Sequence, residues 1–151
     1  MLTQVIKFIR LPLFLLLLFA IGRFSLGLGG IPYAPRGNAM FSILVLSLVS
    51  SFYFGALSSR VGGFKWTGTI LVGVVIGFWA QLLIFSATLI SFLGDFNTYF
   101  RHWDALNVPE GTIVPMGQAM GARAGGLLVG SILTMIAAAI GRVFGFLSPE
   151  K

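Results

Sequence analysis

Few residues of this chain can do chemistry. Asp95, Asp104, Glu110 and Glu150 are its four carboxylates, His102 is its single histidine, and cysteine is absent. Without cysteine there is no thiol redox centre, and one histidine cannot complete a histidine-based metal site. Ser-His-Asp catalysis would have to combine His102 with Asp104, whose two-residue spacing turns the acid to another face of a helix. Proton- or ion-coupled transport ordinarily needs an ionisable group at membrane depth. No carboxylate falls inside an apolar stretch. The acids therefore read as solvated loop charges and a helix cap, and no enzyme activity and no metal are expected. The one cofactor chemistry left open is His102 as an axial ligand to a haem-like or chlorophyll-type pigment. No cofactor is predicted; a pigment or a lipid is the ligand class to look for.

What positions these residues is a membrane. Apolar residues make up 57% of the 151 and charged residues 9%, against about 45–50% and about 25% in soluble domains. That composition excludes a soluble globule and a disordered chain. The net charge of +6 comes from ten Lys and Arg spread singly along the chain. Such a distribution forms no nucleic-acid-binding patch. It suits charges that flank apolar spans.

The expected fold is a single all-α, four-helix membrane bundle of small bacterial type, with spans at 11–28, 39–57, 66–93 and 122–147. Lys7 and Arg10 ahead of the first run, and Ala20-Ile21-Gly22 near its end, have the outline of a signal peptide; the run is read as a retained first span. Pro12 is tolerated in its first turn, and Arg23 is expected to snorkel outward. Glycines and prolines from Gly29 to Gly37 break the chain before the second span. The third span, Trp66 to Leu93, is about 42 Å long and exceeds a hydrocarbon core of roughly 30 Å. Pro115 is placed to open the fourth helix early, with Thr112 as a cap.

With four spans, Lys7, Arg10, Arg60, Lys65, Arg142 and Lys151 share one side. Arg23, Arg36, Arg101 and Arg123 share the other, with Asp95, Asp104 and Glu110. The positive-inside rule then puts both termini in the cytoplasm, in the plasma (inner) membrane.

The long connection before the fourth span carries Phe96, Tyr99, Phe100, Trp103 and Leu106 at helical spacing. With Asp95 as N-cap and Asn107 before Val108-Pro109 as a stop, an amphipathic interfacial helix is predicted over 95–106. Its aromatic residues Phe96, Tyr99, Phe100 and Trp103 would anchor it at headgroup depth or over the bundle, leaving Arg101 accessible.

Glycine spacing marks helix contacts. Gly117, Gly121 and Gly125 recur every four residues; Gly126, Gly130, Thr134 and Ala138 form a second seam; Ala137, Gly141 and Gly145 form a third. Gly73 and Gly77 add a further small-xxx-small pair to the third span. Small residues at this spacing let membrane helices approach closely. Gln81, Ser47, Ser50 and Ser51 lie within spans and are expected to find partners across helices, while Trp66, Trp79 and Trp103 suit lipid contact and interfacial anchoring. The fourth segment carries more seams than two flanking helices can fill. The functional expectation is a non-catalytic accessory or scaffolding subunit that meets other membrane subunits or a second copy of itself. The alternative is a small transporter, channel, or lipid- or pigment-binding protein.

Overall fold

The computed structural model describes residues 1–30 and 41–147. The described residues form helices and loops, with no strand among them. Helix α1 is Leu2–Phe8, α2 Arg10–Leu28, α3 Ile43–Leu57, α4 Trp66–Leu93 and α5 Met116–Val143, followed by a 3-10 turn at Phe144–Leu147. Three of them, α2, α4 and α5, are long and apolar enough to cross a membrane. Helix α3 is apolar but has 15 residues, about 22 Å of length.

Local chemistry explains most boundaries. Pro12 has no N–H to give the Phe8 carbonyl, and its ring crowds that carbonyl. The helix accordingly breaks at Ile9 (φ −102°, ψ 17°), separating α1 from α2. Helix α3 starts later than the expected residue 39: Phe41 is left-handed (φ 59°), and the Ser42 hydroxyl accepts from Val45 N at 3.4 Å as an N-cap. Residues 39 and 40, Arg36, Glu150 and Lys151 lie outside the described residues. Helix α4 has the expected bounds and stops at Gly94. Helix α5 begins at Met116, six residues ahead of the expected 122, with Pro115 as its N-cap in place of Thr112. It ends at Val143, because the last turn tightens to 3-10.

The predicted amphipathic helix over 95–106 is absent. That segment holds one 3-10 turn, Tyr99–Arg101, preceded by irregular backbone and followed by further turns. Two contacts override the aromatic periodicity. Asp95 turns left-handed (φ 51°) directly after α4. Thr98, in extended backbone, is hydrogen-bonded through its hydroxyl to Ser91 of α4 at 2.6 Å, with both side chains buried. The chain is thereby folded back onto the end of α4 instead of lying alongside the bundle.

Ring contacts fix the helix directions. Phe19 meets Phe41 and Phe8 meets Phe54, so α3 runs antiparallel to α2. Trp79 Nε1 donates to the Leu13 carbonyl at 3.0 Å, and Gly27 abuts Thr98, so α4 runs with α2. Arg142 reaches the Phe64 carbonyl, so α5 returns antiparallel to α4. Trp79 therefore ties two helices together, where lipid contact was expected. The N-terminal helix and the end of α5 share one end of the bundle. The 95–115 connection caps the other, called here the loop end.

The interior combines an aliphatic cluster that includes Ile9, Leu16, Val72 and Ile76 with many small hydroxyl-bearing side chains; the exterior is bulky and aliphatic. Ser47, Ser51, Thr69, Thr88, Ser91 and Thr134 are buried, whereas Leu18, Val49, Phe78, Leu128, Ile132 and Ile136 are exposed. So many large aliphatic side chains outward, with so many hydroxyls inward, is the reverse of the usual soluble distribution of these residue types. Most interior hydroxyls bond a carbonyl of their own helix: Thr88 to Ile84 O (2.8 Å), Ser131 to Leu127 O (2.7 Å) and Thr134 to Gly130 O (2.8 Å). Of the span residues expected to find partners across helices, Ser47 bonds Leu44 O of its own helix at 2.8 Å. The buried Ser51 Oγ has no partner among the described residues, and Gln81 of α4 packs on Gly126 and Gly130 of α5. A Cβ on Gly55 would lie 2.7 Å from Ala138 Cα, and one on Gly73 would lie 2.6 Å from Met135 Cα. Backbone meets backbone there.

Candidate functional site

The loop end gathers most of the polar side chains singled out from the sequence. Three elements build it: the C-terminal turns of α2 and α4, the 95–115 connection, and the first turns of α5. Asp95 Oδ1 accepts from Arg101 Nη1 at 2.7 Å, and the same nitrogen reaches the Ser91 carbonyl at 3.4 Å. The Arg101 guanidinium also lies 4.8 Å over the Phe92 ring. Arg101 is therefore half-buried and tied down, not the accessible charge expected. Its carboxylate partner is 93% exposed, so solvent screens the pair and its worth is below about 1 kcal/mol.

Beside this pair lies an open cleft of about 470 Å³, lined among others by Phe92, Asn97, His102, Trp103 and Thr112. His102 stacks against Trp103 at 4.8 Å, and its Nδ1 accepts from the backbone N of Asp104 at 3.3 Å. The Asp104 contact to the ring is thus main chain. No cluster of three or more metal-ligating side chains occurs among the described residues.

The aromatic residues of the connection divide by depth. Phe100 is 1% exposed and packs on Phe24 of α2, with ring centroids 6.4 Å apart; Phe96 meets the edge of the same ring at 6.1 Å and is partly exposed. Tyr99 supplies a ring face to Arg23, whose guanidinium lies 3.8 Å from the centroid. Arg23 was expected to snorkel outward. It is 8% exposed, because cation–π stacking holds it inside. Arg123 of α5 stands within electrostatic range of the same tyrosine. This grouping was not anticipated. The available signal was spacing, since Arg123 follows Ala119 by four and precedes Gly126 by three, on the seam that faces α4.

The glycines separate into filled and bare positions. Gly126 and Gly130 receive the Gln81 side chain from α4. Gly141 abuts the Phe52 backbone, and a Cβ on Gly145 would lie 2.6 Å from the Ala56 carbonyl, both in α3. Gly77 faces Thr134, and Gly55 faces Ala138. At Gly117, Gly121 and Gly125 an added Cβ would meet nothing within 4 Å, and all three are exposed.

Comparison of the chain with protein-family models, curated proteins and solved structures finds no match. The three long apolar helices, with large aliphatic side chains outward, are those of a membrane protein.

Proposed function

We propose that the chain crosses the membrane four times and serves as a non-catalytic accessory or scaffolding subunit of a membrane assembly. It would dock a transmembrane helix of another subunit on Gly117, Gly121 and Gly125. The observation that carries this reading is the bare strip itself. Farther along α5 the same outward face bears Leu128, Ile132 and Ile136, all large and exposed as lipid contact requires. Toward the loop end it is stripped to glycine. Each exposed glycine in a helix costs about 1 kcal/mol relative to alanine, and here no contact with the described residues offsets that cost. A helix packed at backbone distance would offset it.

The test is native mass and size-exclusion behaviour in mild detergent for wild type and Gly121→Leu. Leucine enters open space in the isolated chain, so its helix content should be unchanged. Assembly with a partner, or with a second copy, should weaken by at least about tenfold, the equivalent of about 1.4 kcal/mol. A wild-type chain that runs strictly as a monomer without partners overturns the subunit reading, and leaves the ligand-binding alternative with its loop-end cleft.

The four crossings and their orientation have a separate check. Helix α3 is short, yet Phe41 just ahead of it meets α2 toward the loop end, and its own Phe54 meets α1 at the terminal end. Arg60 and Lys65 flank the α3–α4 turn with no acid beside them. Reporter fusions at Gly63 and after Lys151 should both report cytoplasm, and one near Glu110 the opposite side. Gly63 and Glu110 on the same side would mean that α4 does not cross.

A further inference from the structure

We propose that Arg123 and Arg23, gathered around Tyr99, form a binding site for a phosphate-type oxyanion at the loop end of the bundle. Arg123 sits seven residues into α5 and Arg23 five residues before the end of α2, about 10 Å and 8 Å along their helices. The 28 residues of α4 and α5 span about 42 Å and leave about 6 Å at each end of a hydrocarbon core of roughly 30 Å. The Arg123 backbone therefore lies a few ångströms inside the headgroup boundary, within side-chain reach of it. Neither arginine extends freely into water. Arg23 is buried with its guanidinium stacked on Tyr99. Arg123 lies on the face of α5 that carries buried Ala119 and Gly130, toward α4.

No carboxylate counter-charge for Arg123 occurs among the described residues. The Arg123 Nε is buried and has no hydrogen-bond acceptor among them. Asp95 is held by Arg101. In the sequence, residues 31–40 include Arg36 and no acid. A cation in a membrane helix, turned inward and unpaired, calls for an anionic partner. Guanidinium forks bind tetrahedral oxyanions through paired N–H donors. The ligand is therefore a phosphate ester or phosphate ion, supplied either by a lipid headgroup or from solution. The site is distinct from the bare glycine strip, since Gly121 and Arg123 are about 200° apart around α5. It holds whether or not a partner covers that strip.

The experiment uses the full chain in mild detergent with two probes: phosphatidylglycerol, counted by native mass spectrometry, and inorganic phosphate, read as a thermal shift. Wild type is compared with Arg123→Gln, Arg23→Gln and, as a control at the far end, Arg60→Gln. Wild type should bind at least one probe. Either site variant should weaken that binding about tenfold or more, as loss of a charged hydrogen-bond donor implies, with Arg60→Gln unchanged. Retention of phosphatidylglycerol identifies a lipid headgroup as the source; a shift with phosphate alone identifies the free ion. If Arg123→Gln does not fold, Arg123→Lys, which keeps the charge but loses the fork, should still bind severalfold more weakly. Failure of wild type to bind either probe, or equal binding by the Arg123 variant that folds, overturns the proposal.

Discussion

Gly55→Val should destabilise the bundle by about 3 kcal/mol or more, the upper range for overpacking a close-packed contact. The cause is steric and lies in the backbone. A Cβ at residue 55 falls 2.7 Å from Ala138 Cα and 2.8 Å from its carbonyl carbon. No rotamer change relieves a clash with main chain, so α3 and α5 must separate. Separation also opens the neighbouring contacts of Gly141 with Phe52 and Gly145 with Ala56. Thermal or detergent-induced unfolding followed by circular dichroism should show the loss. Gly125→Ala is the matched control. Its methyl group enters open space, so better helix propensity should raise the stability of the isolated chain by about 0.5–1 kcal/mol. Equal effects from the two substitutions would mean that α3 and α5 are not in backbone contact.

Arg142→Ala should cost about 2–3 kcal/mol, the worth of a charged hydrogen bond together with a cation–π contact. The Arg142 Nη1 donates to Phe64 O at 2.8 Å and Thr69 Oγ1 at 2.5 Å, and the guanidinium lies 4.8 Å over Trp66. Thr69 Oγ1 is itself 2.6 Å from Ser58 Oγ, both fully buried. One side chain thus joins the end of α5 to the α3–α4 turn and to the start of α4. Alanine leaves the Phe64 carbonyl and the two hydroxyls without their cationic donor. Arg142→Lys keeps the charge but not the planar fork, and should recover about half of the loss. Unfolding in the same detergent series is the measurement. A change of less than about 0.5 kcal/mol for alanine would show that Arg142 acts only as an interfacial charge.

These two sites show where sequence reasoning reaches and where it stops. Glycine spacing marked Gly141 and Gly145 as contact positions, and charge placement assigned Arg142 to a membrane boundary. Neither indicated that Gly55 lies under Ala138, or that Arg142 bonds a carbonyl 78 residues away in the chain. The candidate site divides in the same way. His102, Trp103 and Asp95 were visible as the few polar or aromatic residues of a long connection. The approach of Arg23 and Arg123 to Tyr99 joins three segments remote in sequence, and no local spacing encodes it.

By itself the sequence determined the class and most of the helices. Apolarity summed over a run of residues is independent of what the run packs against, so Trp66–Leu93 was legible to the residue. Proline and glycine act on the backbone locally, which is why Pro115 and Gly94 mark true ends. Tertiary structure alone decided the rest. It filled the Gly126–Gly130 seam with Gln81 and left Gly117, Gly121 and Gly125 bare, although all five share one spacing. It pinned Thr98 to Ser91, and so replaced an amphipathic helix with a turn despite the aromatic period. It turned Arg23 inward onto Tyr99. In each case the outcome depends on which surface a neighbouring helix presents at close range, and that is set by the relative placement of helices rather than by the residues along any one of them.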